Sequence, residues 1–445
     1  MDIVVILVAV LLGISSGILI GLLPGVGPAA FMLVLYPILF KFDIISLLIF
    51  YFALINTTQY YGSISAIIFG IAGEVSSIPA VKHGHQLFKT GYEKETLIYT
   101  STGSFIASII ALLMFAIISL TLSNFFLYML QGKVIVSLLI TAFVVIIVTS
   151  ERPVAALIFG FLGIVISQVG FNPLHRVRIL TFGYEGLDTG IPMFPIFCGL
   201  LIIPMLIKFQ RMYVSSEPTL INVGIADRFK ILTELKYLPS MVRGAVVGFF
   251  IGLIPGCSYT ISSNVCDVLE GRIVKNDPTD ERIMKRLISA ESANNAGTVS
   301  VLIPLIMLAI PIVFSEAILM GVLETKGFDF STSLDFFKAH SWLLIGVILI
   351  VNIVNWVLTG VFFNVIISMY VKMKRVIYLL VSVLCLSVMI YNAVNDSQLV
   401  LSIITFVASL ILGISYKHDQ VKFVLIYTFF VSSLVMDEVY RIFFI

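Results

Sequence analysis

Four stretches of this chain contain no Asp, Glu, Lys or Arg: residues 3–40, 44–73, 96–132 and 341–371. A helix crosses the hydrocarbon of a bilayer with about 20 apolar residues, and each stretch is longer than that. Composition agrees, at 59% hydrophobic and only 12% charged residues. The predicted class is therefore an all-α polytopic membrane protein. The net charge of +2 is carried in short loops and says nothing about nucleic acid. The opening Met1-Asp2-Ile3-Val4 lacks the basic start of a secretory signal, so the first apolar segment is read as part of the mature protein. The cysteines at 198, 257, 266 and 385 lie in or beside apolar segments without a Cys-x-x-Cys spacing. They read as small hydrophobes rather than as a disulfide framework or a metal site.

The chain also repeats itself. Gly17-Ile-Leu-Ile-Gly-Leu-Leu-Pro-Gly25 returns 231 residues later as Gly248-Phe-Phe-Ile-Gly-Leu-Ile-Pro-Gly256. Pro-Gly breaks a helix, and a break at membrane depth frees backbone groups that lipid cannot satisfy. Broken segments at corresponding places in two halves point to a transporter binding site.

Basic residues sort the loops. Loops 82–95, 150–153, 208–243, 271–286, 372–375 and 417–422 hold 20 of the 27 Lys and Arg, which places them in the cytoplasm. Lys41, Lys133, Arg176, Arg178, Lys326, Lys338 and Arg441 fall on the other side. Arg243 and Arg272 flank the second Pro-Gly and both sit in basic loops, so that segment enters and returns as a hairpin. By repeat logic 1–40 does the same from outside, although 3–23 is also long enough for a full span. Segments 44–75 and 287–325 then cross in opposite senses. Further spans are expected near 99–122, 134–149, 154–170, 190–207, 341–370, 376–393, 398–415 and 423–440. The result is two inverted-topology repeats, each with a re-entrant Pro-Gly hairpin and about five crossings. Residues 1–209 form the first, 210–240 a cytoplasmic linker and 241–445 the second.

Each half carries a second polar signal. The first is Asn56-Thr-Thr-Gln-Tyr-Tyr-Gly-Ser-Ile-Ser65; the second is Glu291-Ser-Ala-Asn-Asn-Ala-Gly-Thr298, followed by Pro304 and Ile310-Pro311. A slide of 239 residues superposes Asn56 on Asn295. Amides and hydroxyls in an apolar span face the bundle interior or a wet cavity. Two readings are open for any one of them: helix packing, or ligand binding. Together they fit an anion and a coupling cation. Half-helix N-termini suit a carboxylate, and carbonyl oxygens suit a hard cation. The candidate substrate-binding residues are Gly25, Asn56, Tyr61, Gly62, Ser63, Ser65, Gly256, Ser258, Asn294, Asn295 and Thr298. For ion coupling they are Glu291, Glu316 and Asn295, with Glu316 the deepest protonatable group. Glu291 is equally read as a salt-bridge or helix-start residue, and Glu74 as a solvated end. His83 and His85 are expected on the surface, and no metal site is expected.

At these residues the chain resembles the large membrane subunit of tripartite tricarboxylate transporters. The resemblance rests on both Gly-x-x-x-Gly-x-x-Pro-Gly signals. It also rests on Tyr60-Tyr61-Gly62-Ser63, Ala72-Gly73-Glu74-Val75-Ser76-Ser77, Ala290 to Ala296 and Leu308 to Ile312. Ala72, His83 and Ile312 depart from the family's Pro, acid and Gly. The resemblance implies a secondary transporter importing a small organic anion, a di- or tricarboxylate, by Na⁺ or H⁺ symport. It implies a periplasmic binding protein, a small four-span partner subunit and a bacterial inner-membrane location. The alternative is an ion channel, or a transporter of another solute working without a binding protein. An enzyme is not expected: no Ser-Lys or His-Asp pair lies within a span, and no phosphate-binding loop of Walker type is present.

Overall fold

The computed structural model describes residues 3–23, 27–35, 39–70, 75–121, 152–172, 177–192, 236–253, 259–308, 313–328, 333–361 and 399–416, with scattered positions within 137–147, 195–207, 311, 363–387 and 418–432. It is mostly helical. In chain order the helices are α1 (Ile3–Leu22), α2 (Pro28–Val34), α3 (Ile44–Phe69), α4 (His85–Lys89), α5 (Glu93–Thr121), α6 (Pro153–Ser167), α7 (Leu238–Gly252), α8 (Tyr259–Ile273), α9 (Thr279–Ser300), α10 (Leu302–Leu308), α11 (Phe314–Thr325), α12 (Ser333–Val361) and α13 (Leu399–Ser415). Among the described residues four helices are long and apolar enough to cross a membrane: α1, α3, most of α5 and most of α12. The expected spans near 134–149, 376–393 and 423–440 fall largely outside the described residues. Over the expected crossing 287–325 the described residues form three helices, α9, α10 and α11. Pro311 lies between the last two, where a missing N–H ends a helix. The loop after α6 contains a short antiparallel hairpin, β1 (Gly170–Asn172) with β2 (Val177–Ile179), which the sequence reading did not anticipate.

The chain forms two compact units. One comprises 1–127 and 213–374, the other 128–212 and 375–445, so each draws on both halves of the sequence. In the first unit α3 and α9 are the innermost helices. Every residue from Ile45 to Ile67 is buried, and so is every residue from Leu287 to Ser300. Against each lies a glycine ridge with a spacing of four. Gly13, Gly17 and Gly21 of α1 meet Ala53, Thr57 and Tyr61; Gly244, Gly248 and Gly252 of α7 meet Ser289, Ala293 and Gly297. A Cβ at Gly17 would stand 2.5 Å from the Thr57 Cβ, and one at Gly21 2.7 Å from the Tyr61 Cβ, so only glycine permits this approach. At Gly248 the obstacle is the Ala293 backbone.

These contacts correct the internal register. The ridges are 231 residues apart, but the residues they meet are 236 apart, not 239. Asn56 then corresponds to Ser292, and Gln59 to Asn295. The match of Asn56 with Asn295 followed residue identity, whereas packing follows the small residues.

In the second unit α6 packs by Gly163 on Leu425 and Thr428, and Phe159 lies tilted against Tyr416 with ring centroids 4.9 Å apart. The helical turn Cys198–Ile202 lies against α13, where Gly199 and Gly413 permit the approach.

Candidate functional site

Buried helices are normally apolar; α3 and α9 are not. Between Asn56 and Ser65, α3 buries Asn56, Thr57, Thr58, Gln59, Ser63 and Ser65. Over its second half α9 buries Glu291, Ser292, Asn294, Asn295, Thr298 and Ser300. A buried polar group without a partner costs about 1–3 kcal/mol, so each needs a bond or a ligand.

Some are bonded across the seam. Ser63 Oγ donates to Glu291 Oε2. Asn295 Nδ2 donates to Ser104 Oγ of α5 at 2.8 Å and to the Glu291 carbonyl at 3.0 Å. Ser76 Oγ donates to Gln59 Oε1 at 3.3 Å, and Ser263 Oγ of α8 donates to the Ser76 carbonyl at 2.9 Å. Ser65 Oγ donates to the Gly21 carbonyl at 3.1 Å, which ties α3 to α1 beside the first Pro-Gly. Others stay open: Asn56 Oδ1, Glu291 Oε1, Ser292 Oγ and Asn295 Oδ1 have no hydrogen-bond partner among the described residues. The Asn294 amide lies beside the Glu291 carboxyl without reaching hydrogen-bond geometry to any group. The seam thus offers uncommitted acceptors together with uncommitted O–H and N–H donors.

Of the expected site residues, the structure brings Ser63, Glu291 and Asn295 into one bonded group, with Asn294 alongside. Asn56, Tyr61, Gly62 and Ser65 follow along α3, and Thr298 along α9, where its hydroxyl donates to the Asn294 carbonyl at 2.9 Å. Gly25, Gly256 and Ser258 lie outside the described residues, as do Glu74 and Cys257. Glu316 stands apart at the start of α11. There Oε2 accepts the Val313 N–H at 3.1 Å, a capping bond for its own helix, and the neighbouring Ser315 hydroxyl meets Tyr51 of α3 at 2.9 Å.

Two groups escaped the sequence reading. His83 is not on the surface; it is buried, with Nε2 2.8 Å from Asp267 Oδ1. Arg286 Nε donates to the same oxygen at 2.7 Å. Glu270, also buried, takes Arg243 Nε at 2.9 Å and the Ser240 hydroxyl at 2.7 Å. With Tyr92 donating to Asp280 at 3.2 Å, these bonds bring the basic loops 82–95 and 271–286 together at one end of α3. At its other end Lys326 Nζ donates to the Phe40 carbonyl at 2.8 Å. The second group is Asn352 and Asn355 of α12, fully buried in an apolar run. The sequence reading did not single out Asn352-x-x-Asn355, with Thr359 one turn on, as a motif.

A family model described as "Tripartite tricarboxylate transporter TctA family" matches residues 7–425. The chain belongs to this family. It is a family of transporters and not of enzymes. A protein of Agrobacterium vitis described as "Uncharacterized 52.8 kDa protein in TAR-I ttuC' 3'region" is 25% identical over 304 residues, which is 68% of this chain and 60% of that protein. No solved structure matches the chain.

Proposed function

We propose that this protein is the large membrane subunit of a secondary transporter that imports a small di- or tricarboxylate by cation symport. It is fed by a periplasmic binding protein and completed by a small four-span subunit in a bacterial inner membrane. Family membership supports the class. The observation that carries the site is the bonded group of Ser63, Glu291 and Asn295, with open polar atoms around it on two fully buried helices. Ser292 Oγ and the Asn294 amide supply donors for a carboxylate; Asn56 Oδ1, Asn295 Oδ1 and Glu291 Oε1 supply acceptors for a cation or a substrate hydroxyl. No Lys or Arg lies in either segment, so anion recognition rests on neutral donors. The inverted repeat belongs to the same proposal. It is supported by the like packing of α1 on α3 and α7 on α9, by the 29 residues that α5 and α12 share in length, and by the sorting of basic loops to one end. Residues 1–209 and 241–445 are the proposed repeats, joined by 210–240.

The test is uptake of labelled citrate and related carboxylates into proteoliposomes holding the assembled transporter. Asn295→Ala is expected to cut uptake at least about tenfold, equivalent to about 1.4 kcal/mol, while purifying as folded protein. Unchanged uptake would move the site away from this seam.

A further inference from the structure

The buried asparagines α3 and α12 carry are oriented alike. Asn56 Nδ2 donates to the Phe52 carbonyl at 2.8 Å, and Asn352 Nδ2 to the Ile348 carbonyl at 2.8 Å. A carbonyl can only accept, so each amide is fixed with its own oxygen turned away. Asn355 Nδ2 is committed to Thr57 Oγ1 at 3.0 Å, across from α12 to α3. In all three the amide oxygen has no partner among the described residues. Asn352 and Asn355 are three apart and share one face of α12. Each is 0% exposed, as is Thr57. The helix is held in place beside them: Trp356 stacks on Phe105 of α5 at 5.0 Å and donates to Thr102 Oγ1 at 3.3 Å.

Each amide thus commits one N–H and leaves its oxygen open, and Thr57 Oγ1 accepts one bond and keeps a lone pair. The open oxygens can accept a cation or a donor. Neutral oxygens suit a monovalent ion, because divalent ions draw carboxylates into their shells. Among the described residues no cluster of three or more His, Cys, Asp or Glu is placed to hold a metal. An amide does not take up a proton at working pH, so the group is not a proton carrier.

We infer that Thr57, Asn352 and Asn355 bind a monovalent hard cation, of which Na⁺ is the fit, between α3 and α12. This site is separate from the Glu291 group. The inference rests on the transport reading for the purpose of the ion but not for its binding. Binding is therefore measured without substrate. Purified full-length protein is melted while choline chloride is replaced stepwise by NaCl, LiCl or KCl at constant ionic strength. A Tm that rises and saturates with NaCl, and responds less to KCl and not to choline, is expected, because a ligand of the folded state stabilises it. The paired change Asn352→Ala with Asn355→Ala is expected to abolish the response. If that protein does not purify, Thr57→Val removes one oxygen at nearly constant volume and is expected to raise the half-saturating NaCl at least about tenfold, within the range known for groups supporting a metal site. A wild-type Tm that ignores NaCl, as when water fills the oxygens, overturns the site; so does an unchanged response in either variant. Loss of carboxylate uptake with the Na⁺ response intact would count against the transport reading alone.

Discussion

The two glycine-ridged pairs, α1 on α3 and α7 on α9, pack alike and are fastened differently. The second is clamped. Its hairpin partner α8 carries Glu270, bonded to Arg243 and Ser240 of α7, and Asp267, bonded to His83 and Arg286. The first pair has no ionic clamp, since 3–40 is without charge; Ser65 on the Gly21 carbonyl is a polar tie between α1 and α3. Close packing supplies van der Waals contact in both, but only one adds buried ion pairs. The second pair therefore has ionic ties to break if it moves, and the first does not.

The largest expected effect tests the shared part of the design. Gly17→Ala and Gly248→Ala each place a Cβ against atoms that cannot give way. Overpacking of this kind costs about 1–3 kcal/mol, and Gly248 is expected at the upper end because it faces the Ala293 backbone. Thermal melts of the purified variants check this. A harmless Gly17→Ala beside a damaging Gly248→Ala would sharpen the contrast, by showing that α1 shifts on α3 without loss. Two harmless variants would break the ridge argument altogether.

The next effect tests the difference. Glu270→Ala leaves Arg243 without its carboxylate. Breaking a buried pair typically costs about 3–5 kcal/mol; here a smaller loss of about 2 kcal/mol is expected, because Arg243 is 37% exposed and keeps some water. The readout is protease cleavage near α8 together with the Tm. If cleavage and Tm stay at wild-type values, the clamp is decorative and the two hairpins are equivalent.

Sequence alone carried the class and the family because both rest on local signals. A charge-free run of 38 residues over 3–40 and a Pro-Gly at a repeated offset need no partner to be recognised. The polar motifs on α3 and α9 were legible for the same reason: Asn56 to Ser65 and Glu291 to Thr298 concentrate amides and hydroxyls where a span should be apolar. What failed was long-range. His83 and Asp267 are 184 residues apart, and neither carries a local mark of burial. His83 sits among Lys82 and His85, the composition of a wet loop. Asn352 and Asn355 looked like single polar residues on an apolar helix, and only the packing of α12 on α3 gives Asn355 its partner Thr57. The register error has a third origin: identity between asparagines outweighed the glycines that set how near two helices come.

The smallest expected effect lies at the edge of the clamped pair. Lys236, before α7, reaches Glu281 of α9 at 2.7 Å, and Lys285 reaches the same carboxylate at 2.8 Å. The hydrogen bond from Lys236, and then that from Lys285, hold the Glu281 carboxyl below its ordinary value of 4.5. A carboxyl depressed in the folded state binds fewer protons there than in the unfolded chain. Its stabilisation is therefore complete above about pH 4.5 and is lost as pH falls through the lower folded value. Glu281 is 20% exposed and Lys236 52% exposed, so solvent and salt screen the pair. Glu281→Gln is expected to cost no more than about 1 kcal/mol at neutral pH and less as the pH falls below about 4.5. In 1 M salt the neutral-pH difference should shrink further, whereas the loss from Glu270→Ala should persist, because Glu270 is 1% exposed. The deciding measurement is a set of melts of the two variants at pH 7 and pH 3, each with and without salt. If Glu281→Gln proves as damaging and as salt-resistant as Glu270→Ala, the anchoring of α7 extends out to its exposed start, and the buried carboxylates are not what distinguishes this hairpin from the first.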